Sequence, residues 1–510
     1  MSPSVFYSAF NNALARLIEG LSDPARRRRA ALVFVFGYAA LWLTYGIVAK
    51  SSQDLNADMA EMIVWTRELA LGYPKHPPFL AWLLWAWFKI FPLADWAYLL
   101  LSVVTVSSGI YLAIELCARW LTREKLAAVP FLLACIPFYN FLGLKFDQKS
   151  VLIPLWALAM WAFMRSLDTR HISWAALAGL VAAAAMLSKY WSAFLIAALS
   201  LAALAHPRRN DYFRSAAPWV TAGVFIVAIV PHVSWLIRND FPPLTLVATR
   251  RISASFGDTL HSLAEYLGGT AGYSLIAIAL VVVFVRPGPG AIADSWFPRD
   301  DRRPATWMFW TPLLLPVVPA LIKNISLLSL WSTPAFNLLP VMLLASPKII
   351  VPRVAVLRIA NVITALTLLI VLASPVIAFV ILKSGVENDA AYARLVMQAA
   401  EQEWHKATDK PLTMIAGQFV LVSTAAFYGS DRPSTFANFS SYLSPWADKE
   451  RLARDGMAIM CEAGEPYCAQ AMNQYAAQGV RRTEITVMRH WLGFESAPAR
   501  FVIAIVPPRP

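Results

Sequence analysis

Long apolar stretches alternate with short polar ones over the first three quarters of the chain. Each is near the roughly 20 residues that a helix needs to cross a bilayer. The pattern predicts eleven spans, with two more as the upper limit: 30–48, 96–114, 126–144, 151–164, 172–187, 191–205, 218–236, 267–285, 305–322, 327–345 and 355–382. The Trp-rich run 79–91 is shorter and reads as an interfacial helix. Helices are the expected form, because backbone in lipid must satisfy its own hydrogen bonds. The first run is long enough to span and lacks a small-residue cleavage pattern after it, so no signal-peptide cleavage is expected.

The pattern changes after residue 382. The tail carries acidic, amide and hydroxyl residues at ordinary soluble frequency. Helical spacing is expected over 388–407, and short apolar runs at 414–423 and 500–506 read as strands. The fold class is therefore a mainly α polytopic membrane protein with a small α/β C-terminal domain. Its expected parts are a transmembrane domain, 1–382, whose first outer loop is 50–95, and a soluble domain, 383–510. Cys461 and Cys468 lie seven residues apart in the soluble part and can form a disulfide in an oxidising compartment, or remain thiols. Cys117 and Cys135 sit in apolar runs and read as packing residues.

Composition agrees with this class. Of 510 residues, 58% are hydrophobic and only 15% charged, against about 25% charged in soluble domains. The net charge of +13 does not point to nucleic acid, because the bases fall in short clusters between apolar runs. That distribution orients the chain instead. Arg26 to Arg29 place the N-terminus in the cytoplasm, so the loop 50–95 and the tail face outward. If 79–91 spanned fully, Arg119 to Lys125 would lie outside, against the rule. The outward set is Asp54, Asp58, Glu61, Arg67, Lys75, His76, Asp147, Lys149, Lys189, His232, Arg238, Arg250, Arg251 and Lys323.

A few acids among many bases suit a phosphate-bearing substrate. Arg and Lys would hold phosphate oxygens, and a carboxylate would take a proton from an attacking hydroxyl. Each residue also has a plain reading. Asp58 can cap a helix over 59–71, Asp147 can cap the span after it, His76 can be a turn residue, and any single Lys or Arg can snorkel to headgroups. Trp65, Tyr73, Trp82 and Trp85 read as interfacial anchors. No His, Cys or acid cluster has metal-ligand spacing, so no obligatory metal or other cofactor is expected, although Asp58 and Asp147 could bind a divalent ion.

The segment from Asp58 through Trp65, Arg67, Gly72, Tyr73, Lys75 and His76 to Pro77-Pro78 resembles the first outer loop of bacterial GT-C glycosyltransferases, the protein O-mannosyltransferase-like and lipid A aminoarabinose-transferase-like enzymes. Those enzymes typically show an Asp-Glu pair and an acid before His-Pro-Pro; here Met59 and Lys75 stand in those places. Phe146-Asp147-Gln148 is similar to a Pro-Asp-Ala segment, Leu187-Ser188-Lys189-Tyr190 matches a Leu-Ser-Lys-Tyr segment, and Trp331 to Phe336 resembles Trp-Pro-Ala-Pro-Ala-Tyr. Pro231, Trp235 and Asn239 fall in the segment before the large outer loop. The likeness covers about residues 30–345.

The resemblance implies an inverting transferase of the bacterial inner membrane, with its site and C-terminal domain facing the periplasm. A polyprenyl-phosphate-linked sugar would be the donor. A lipid or glycan, lipopolysaccharide core or lipid A ahead of a protein hydroxyl, would be the acceptor. Asp58 would be the general base and Asp147 would orient the site. His76, Lys75, Lys189 and Arg238 would bind the donor phosphate; Arg67, Tyr73, Tyr190 and Trp331 would line the substrate. Two other classes compete. A secondary transporter would show a repeated half with interrupted helices, which the sequence lacks. A non-catalytic scaffold or flippase would leave Asp58 replaceable.

Overall fold

The computed structural model describes residues 3–253, 255–384, 392–475 and 480–509. Seven of its helices are long and apolar enough to cross a membrane: Arg27–Ala49, Asp95–Cys117, Gln148–Thr169, Ala217–Arg238, Phe256–Phe284, Arg303–Lys323 and Arg353–Ser384. An eighth is obtained if the pair Arg123–Ala134 and Pro137–Leu144, bent by 82°, counts as one broken span. The other expected spans are apolar helices of lesser length, Ile172–Ser188, Tyr190–Ala205 and Ser329–Leu344. A 17-residue helix reaches only about 26 Å, short of a hydrocarbon core of about 30 Å. The run 79–91 is a 12-residue helix, Phe79–Ile90.

The chain divides into two compact units: residues 1–43, 75–79 and 100–371 form the first, and residues 44–74, 80–99 and 372–510 the second. The second unit thus gathers most of the first outer loop with the tail.

In the first unit, the helix Gln148–Thr169 packs on Ile172–Ser188, which packs on Ala217–Arg238. Gly179 makes the second contact possible: a Cβ there would meet the Thr221 carbonyl oxygen at 2.3 Å. The Thr221 hydroxyl donates to the Ala175 carbonyl at 3.0 Å across the same seam. One buried amide in this core is fully engaged, as an apolar surrounding favours. Asn337 accepts from the Tyr139 hydroxyl at 2.8 Å and donates to the carbonyls of Ile153 and Pro334, each at 3.0 Å. Free Cys117 and Cys135 are buried here, as expected of packing residues.

The second unit is built on a five-stranded sheet. Its strands are β1 (Met414–Gly417), β2 (Ser434–Ala437), β3 (Met457–Glu462) and β4 (Arg482–Val487), with β7 (Ala499–Val506); β5 (His490–Trp491) and β6 (Phe494–Glu495) form a separate hairpin. The order is β2-β1-β3-β7-β4, parallel about β1 and antiparallel about β7. The expected strand 414–423 is cut short at Gly417, and Phe419–Tyr428 is a helix. Gly417 has φ +148°, and a Cβ there would lie 2.0 Å from the Met460 carbonyl oxygen, so only glycine fits. The expected helix 388–407 is found as Ala393–Ala407; residues 388–391 lie outside the described residues. Cys461 and Cys468 are joined by a disulfide, with Cα atoms 5.7 Å apart.

Candidate active site

Breaks in apolar helices bring charge together in the first unit. Asp147 ends the bent segment and caps the helix Gln148–Thr169, accepting from the Lys149 and Ser150 amides at 2.8 and 3.1 Å. The Ser150 hydroxyl accepts in return from the Asp147 amide at 3.0 Å, completing a capping box. The second carboxylate oxygen of Asp147 pairs with Lys149 Nζ at 2.6 Å. Asp147 is 3% exposed, with both oxygens engaged. The carboxylate thus holds Lys149 and the start of the helix.

Lys189 occupies the break between Ile172–Ser188 and the turn Tyr190–Ser192, in extended conformation. The break is locked by Ser192, whose hydroxyl accepts from the Trp156 indole at 3.1 Å and donates to the Ala185 carbonyl at 2.9 Å. Lys189 Nζ lies 5.1 Å from the centroid of the Trp331 ring, and the Arg251 guanidinium 5.5 Å from the same ring. Trp331 in turn contacts Trp191 at 5.1 Å. A short pairing of 251–253 with 324–326 holds Arg251: the Ser326 amide donates to the Arg251 carbonyl at 2.8 Å, and the Ser253 amide to the Asn324 carbonyl at 2.7 Å.

Desolvation pushes the Lys189 ammonium pKa down to about 7; Lys149 and Arg251 push the same way, and Asp147 opposes them. Three cations and one carboxylate thus share one neighbourhood, with an aromatic ring between two of the cations. Such an arrangement carries an excess of positive charge and is suited to phosphate. Of the expected donor ligands, Lys189 is placed here, and of the substrate residues, Trp331. Tyr190 is nearby in sequence; its hydroxyl is 2.8 Å from His232 Nε2, and His232 stacks on Trp235. Lys75 and His76 are half-buried in an irregular segment before the helix Phe79–Ile90. Arg238 is exposed at the end of its helix and makes no ion pair among the described residues. The Arg250 side chain lies outside the described residues. Arg251 and Lys149 were visible in the sequence only as two of many outward bases. Their selection depends on the strand-like pairing and the capping turn, which spacing does not reveal.

In the second unit, Asp58 is exposed in the first turn of the helix Ala57–Arg67. The cap is Asn56, whose side chain accepts from the Asp58 amide at 3.1 Å, so Asp58 is not the capping residue. Arg67 and Tyr73, expected to line the substrate, are engaged with backbone carbonyls of the second unit. Arg67 donates to the Ala426 carbonyl at 2.8 Å and to that of Pro433, and burial draws its pKa down to about 9. Tyr73 is 2% exposed, stacks on Trp65 and donates to the Trp65 carbonyl at 2.9 Å. A cavity of about 300 Å³ lies beside this helix, lined by Lys50, Asp54, Asn56, Met59, Asp95 and Arg394 among others. Arg394 bridges Asp95 at 2.7 Å and Asp54 at 3.7 Å, and the Tyr428 hydroxyl donates to Asp95 at 2.7 Å. Burial raises the Asp54 carboxyl to about 7, against the pull of Arg394. No group of three or more His, Cys, Asp or Glu able to hold a metal occurs among the described residues.

Comparison with known proteins agrees with this architecture. Residues 75–235 match the family model described as dolichyl-phosphate-mannose-protein mannosyltransferase. The chain is 31% identical over 265 residues to the lipopolysaccharide core galacturonosyltransferase RgtB of Rhizobium johnstonii, a match covering 50% of this chain and 51% of that protein. It is 25% identical over 346 residues to RgtA of the same organism, named likewise, covering 64% and 66%. To the lipid A galacturonosyltransferase RgtD it is 23% identical over 214 residues, covering 42% and 44%. The chain therefore spans about half to two thirds of the length of these relatives. Among solved structures, ArnT from Cupriavidus metallidurans bound to undecaprenyl phosphate superimposes with a TM-score of 0.62 at 16% identity, covering 92% of this chain and 98% of that one. A broken-helix membrane unit, a loop-and-tail unit on a mixed sheet and this near-complete superposition lead to one conclusion: the chain is a multi-pass membrane protein with the fold of that ArnT structure.

Proposed function

We propose that the chain transfers a sugar from a polyprenyl-phosphate donor to an envelope acceptor, lipopolysaccharide core or lipid A, with inversion at the anomeric carbon. The observation that carries this reading is the gathering of Lys189 and Arg251 about Trp331, with the Lys149–Asp147 pair close enough to act on Lys189. These cations would bind the donor phosphate and stabilise the charge it gains as the C1–O bond breaks. Lys75 and His76 would add to them, and Arg238 would guide the donor from the outer edge. The acceptor oxygen attacks C1, its proton passes to Asp58, and the lipid phosphate leaves. A phosphate held by cations needs no strong general acid, so one base suffices. Neither a metal nor another cofactor takes part in this scheme.

The named activities of RgtA, RgtB and RgtD favour a uronic acid as the sugar and lipopolysaccharide as the acceptor. The matched family model's description favours a second reading, in which the acceptor is a protein hydroxyl. Placement in the bacterial inner membrane, with the site and the C-terminal domain in the periplasm, belongs to the same reading; the distribution of Arg and Lys supports the outward orientation. Mass spectrometry of envelope lipids and glycopeptides from a deletion strain separates the readings. Loss of a uronic-acid mass from core or lipid A is expected; loss confined to glycopeptides would move the acceptor to protein. Complementation with Asp58→Asn should leave expression intact and fail to restore the mass, and restored transfer would refute Asp58 as the base.

A further inference from the structure

The first unit has a second charged cleft, at the far end of the helix that Asp147 caps. Asp168 follows Asp147 by 21 residues on that helix, about 32 Å along its axis. The cleft is lined by Arg27, Glu115, Arg119, Trp161, Arg165 and Asp168, with a volume of about 290 Å³. Its walls are the ends of three helices long enough to span a membrane, Arg27–Ala49, Asp95–Cys117 and Gln148–Thr169. The cleft therefore lies at the level where headgroups meet water. The basic N-terminal run places it on the face opposite the proposed transfer site.

Its charges do not cancel. Asp168 is already taken by Arg119 and by Arg208 at 3.0 Å. Glu115 has Arg27 and Arg28 at 3.6 and 3.8 Å, both beyond hydrogen-bond distance. Nε of Arg27 and Nε of Arg119 are buried without an acceptor. Arg165 has no ion pair among the described residues; its guanidinium is exposed, 5.8 Å from the centroid of the Trp161 ring. Five guanidinium groups thus face two carboxylates, with an indole along the wall. A cluster of this kind attracts a phosphate ester, and its position at the helix ends selects a membrane-anchored one.

We propose that this cleft binds the phosphate of an anionic phospholipid headgroup, a lipid site separate from the donor site. Phosphatidylglycerol is the probe. Native mass spectrometry of the full chain, delipidated and titrated, should show phosphatidylglycerol retained and phosphatidylcholine lost. Arg165→Gln removes a guanidinium without breaking an ion pair and should weaken retention roughly tenfold, the worth of one charge-assisted hydrogen bond. Arg165→Lys should restore most of it, and Lys189→Met at the donor site should leave it unchanged. Equal phosphatidylglycerol binding by the wild type and Arg165→Gln would overturn the proposal. So would loss in Lys189→Met, which would place the lipid in the donor site. Equal thermal protection by millimolar inorganic phosphate would assign the cleft to a soluble anion and overturn its assignment to lipid.

Discussion

Lys189 carries a prediction that ties electrostatics to function. Burial and two neighbouring cations hold its ammonium pKa down to about 7, against about 10.4 in free solution. A donor phosphate binds the protonated form. Below pH 7 the residue is charged and donor affinity should be nearly flat. Above pH 7 each unit costs about 1.4 kcal/mol, or tenfold in affinity, because the proton must be taken up on binding. The fall ends when binding to neutral Lys189 becomes competitive, a limit set by the roughly 1.5–3 kcal/mol of a charge-assisted hydrogen bond. Between pH 7 and 9 the dissociation constant for a polyprenyl-phosphate sugar should therefore rise between tenfold and a hundredfold. Lys189→Arg keeps the charge, since guanidinium stays protonated throughout this range, and should flatten the curve. Lys189→Met should match the wild type's weak binding at pH 9 across the whole range. Donor binding to purified protein by titration calorimetry at five pH values is the assay. A wild-type affinity independent of pH, or an Arg variant that keeps the wild-type slope, would refute the electrostatic account.

Further outcomes follow from other contacts. Trp331→Ala removes the ring shared by Lys189 and Arg251 and should weaken donor binding by roughly 1–2 kcal/mol, read as a roughly five- to thirtyfold rise in dissociation constant. Arg67→Ala leaves the carbonyls of Ala426 and Pro433 without their donor; destabilisation by about 3 kcal/mol should appear as faster proteolysis of the second unit. Replacing Cys461 and Cys468 with Ser opens a loop of seven-residue separation and should lower stability by roughly 2.5 kcal/mol on loop entropy, measured by denaturant titration. Asp54 has its folded pKa raised from 3.8 to about 7, so the folded state holds the proton more tightly. The stability this gives is complete below about pH 4 and is lost as pH rises through 7. Asp54→Asn should flatten that part of the pH–stability curve, and an unchanged slope would count against the burial argument.

Hydrophobic length and basic clusters disclosed the membrane class, the helix-rich region and the separate tail, because spans and soluble segments differ in residue chemistry at every position. The short loop motifs disclosed Asp58 and Lys189 as candidates for the same reason: the residue types needed for proton and phosphate chemistry are few. Asp147 was also legible, but its role was not. Whether a carboxylate is a base or a cap depends on what its two oxygens meet, and both meet neighbours in the capping turn. Arg67 and Tyr73 had suitable chemistry for substrate but face carbonyls within their own unit.

The length of the spans, the use of Gly417 to end a strand and the choice of Arg251 from among the outward bases all came from the folded chain. Composition and periodicity are properties of residues one at a time, and they settle solvent preference and helix formation. Partnership between residues far apart in the chain, such as Lys189 or Arg251 with Trp331, exists only after packing. It depends on helix breaks and close approaches that no local pattern encodes.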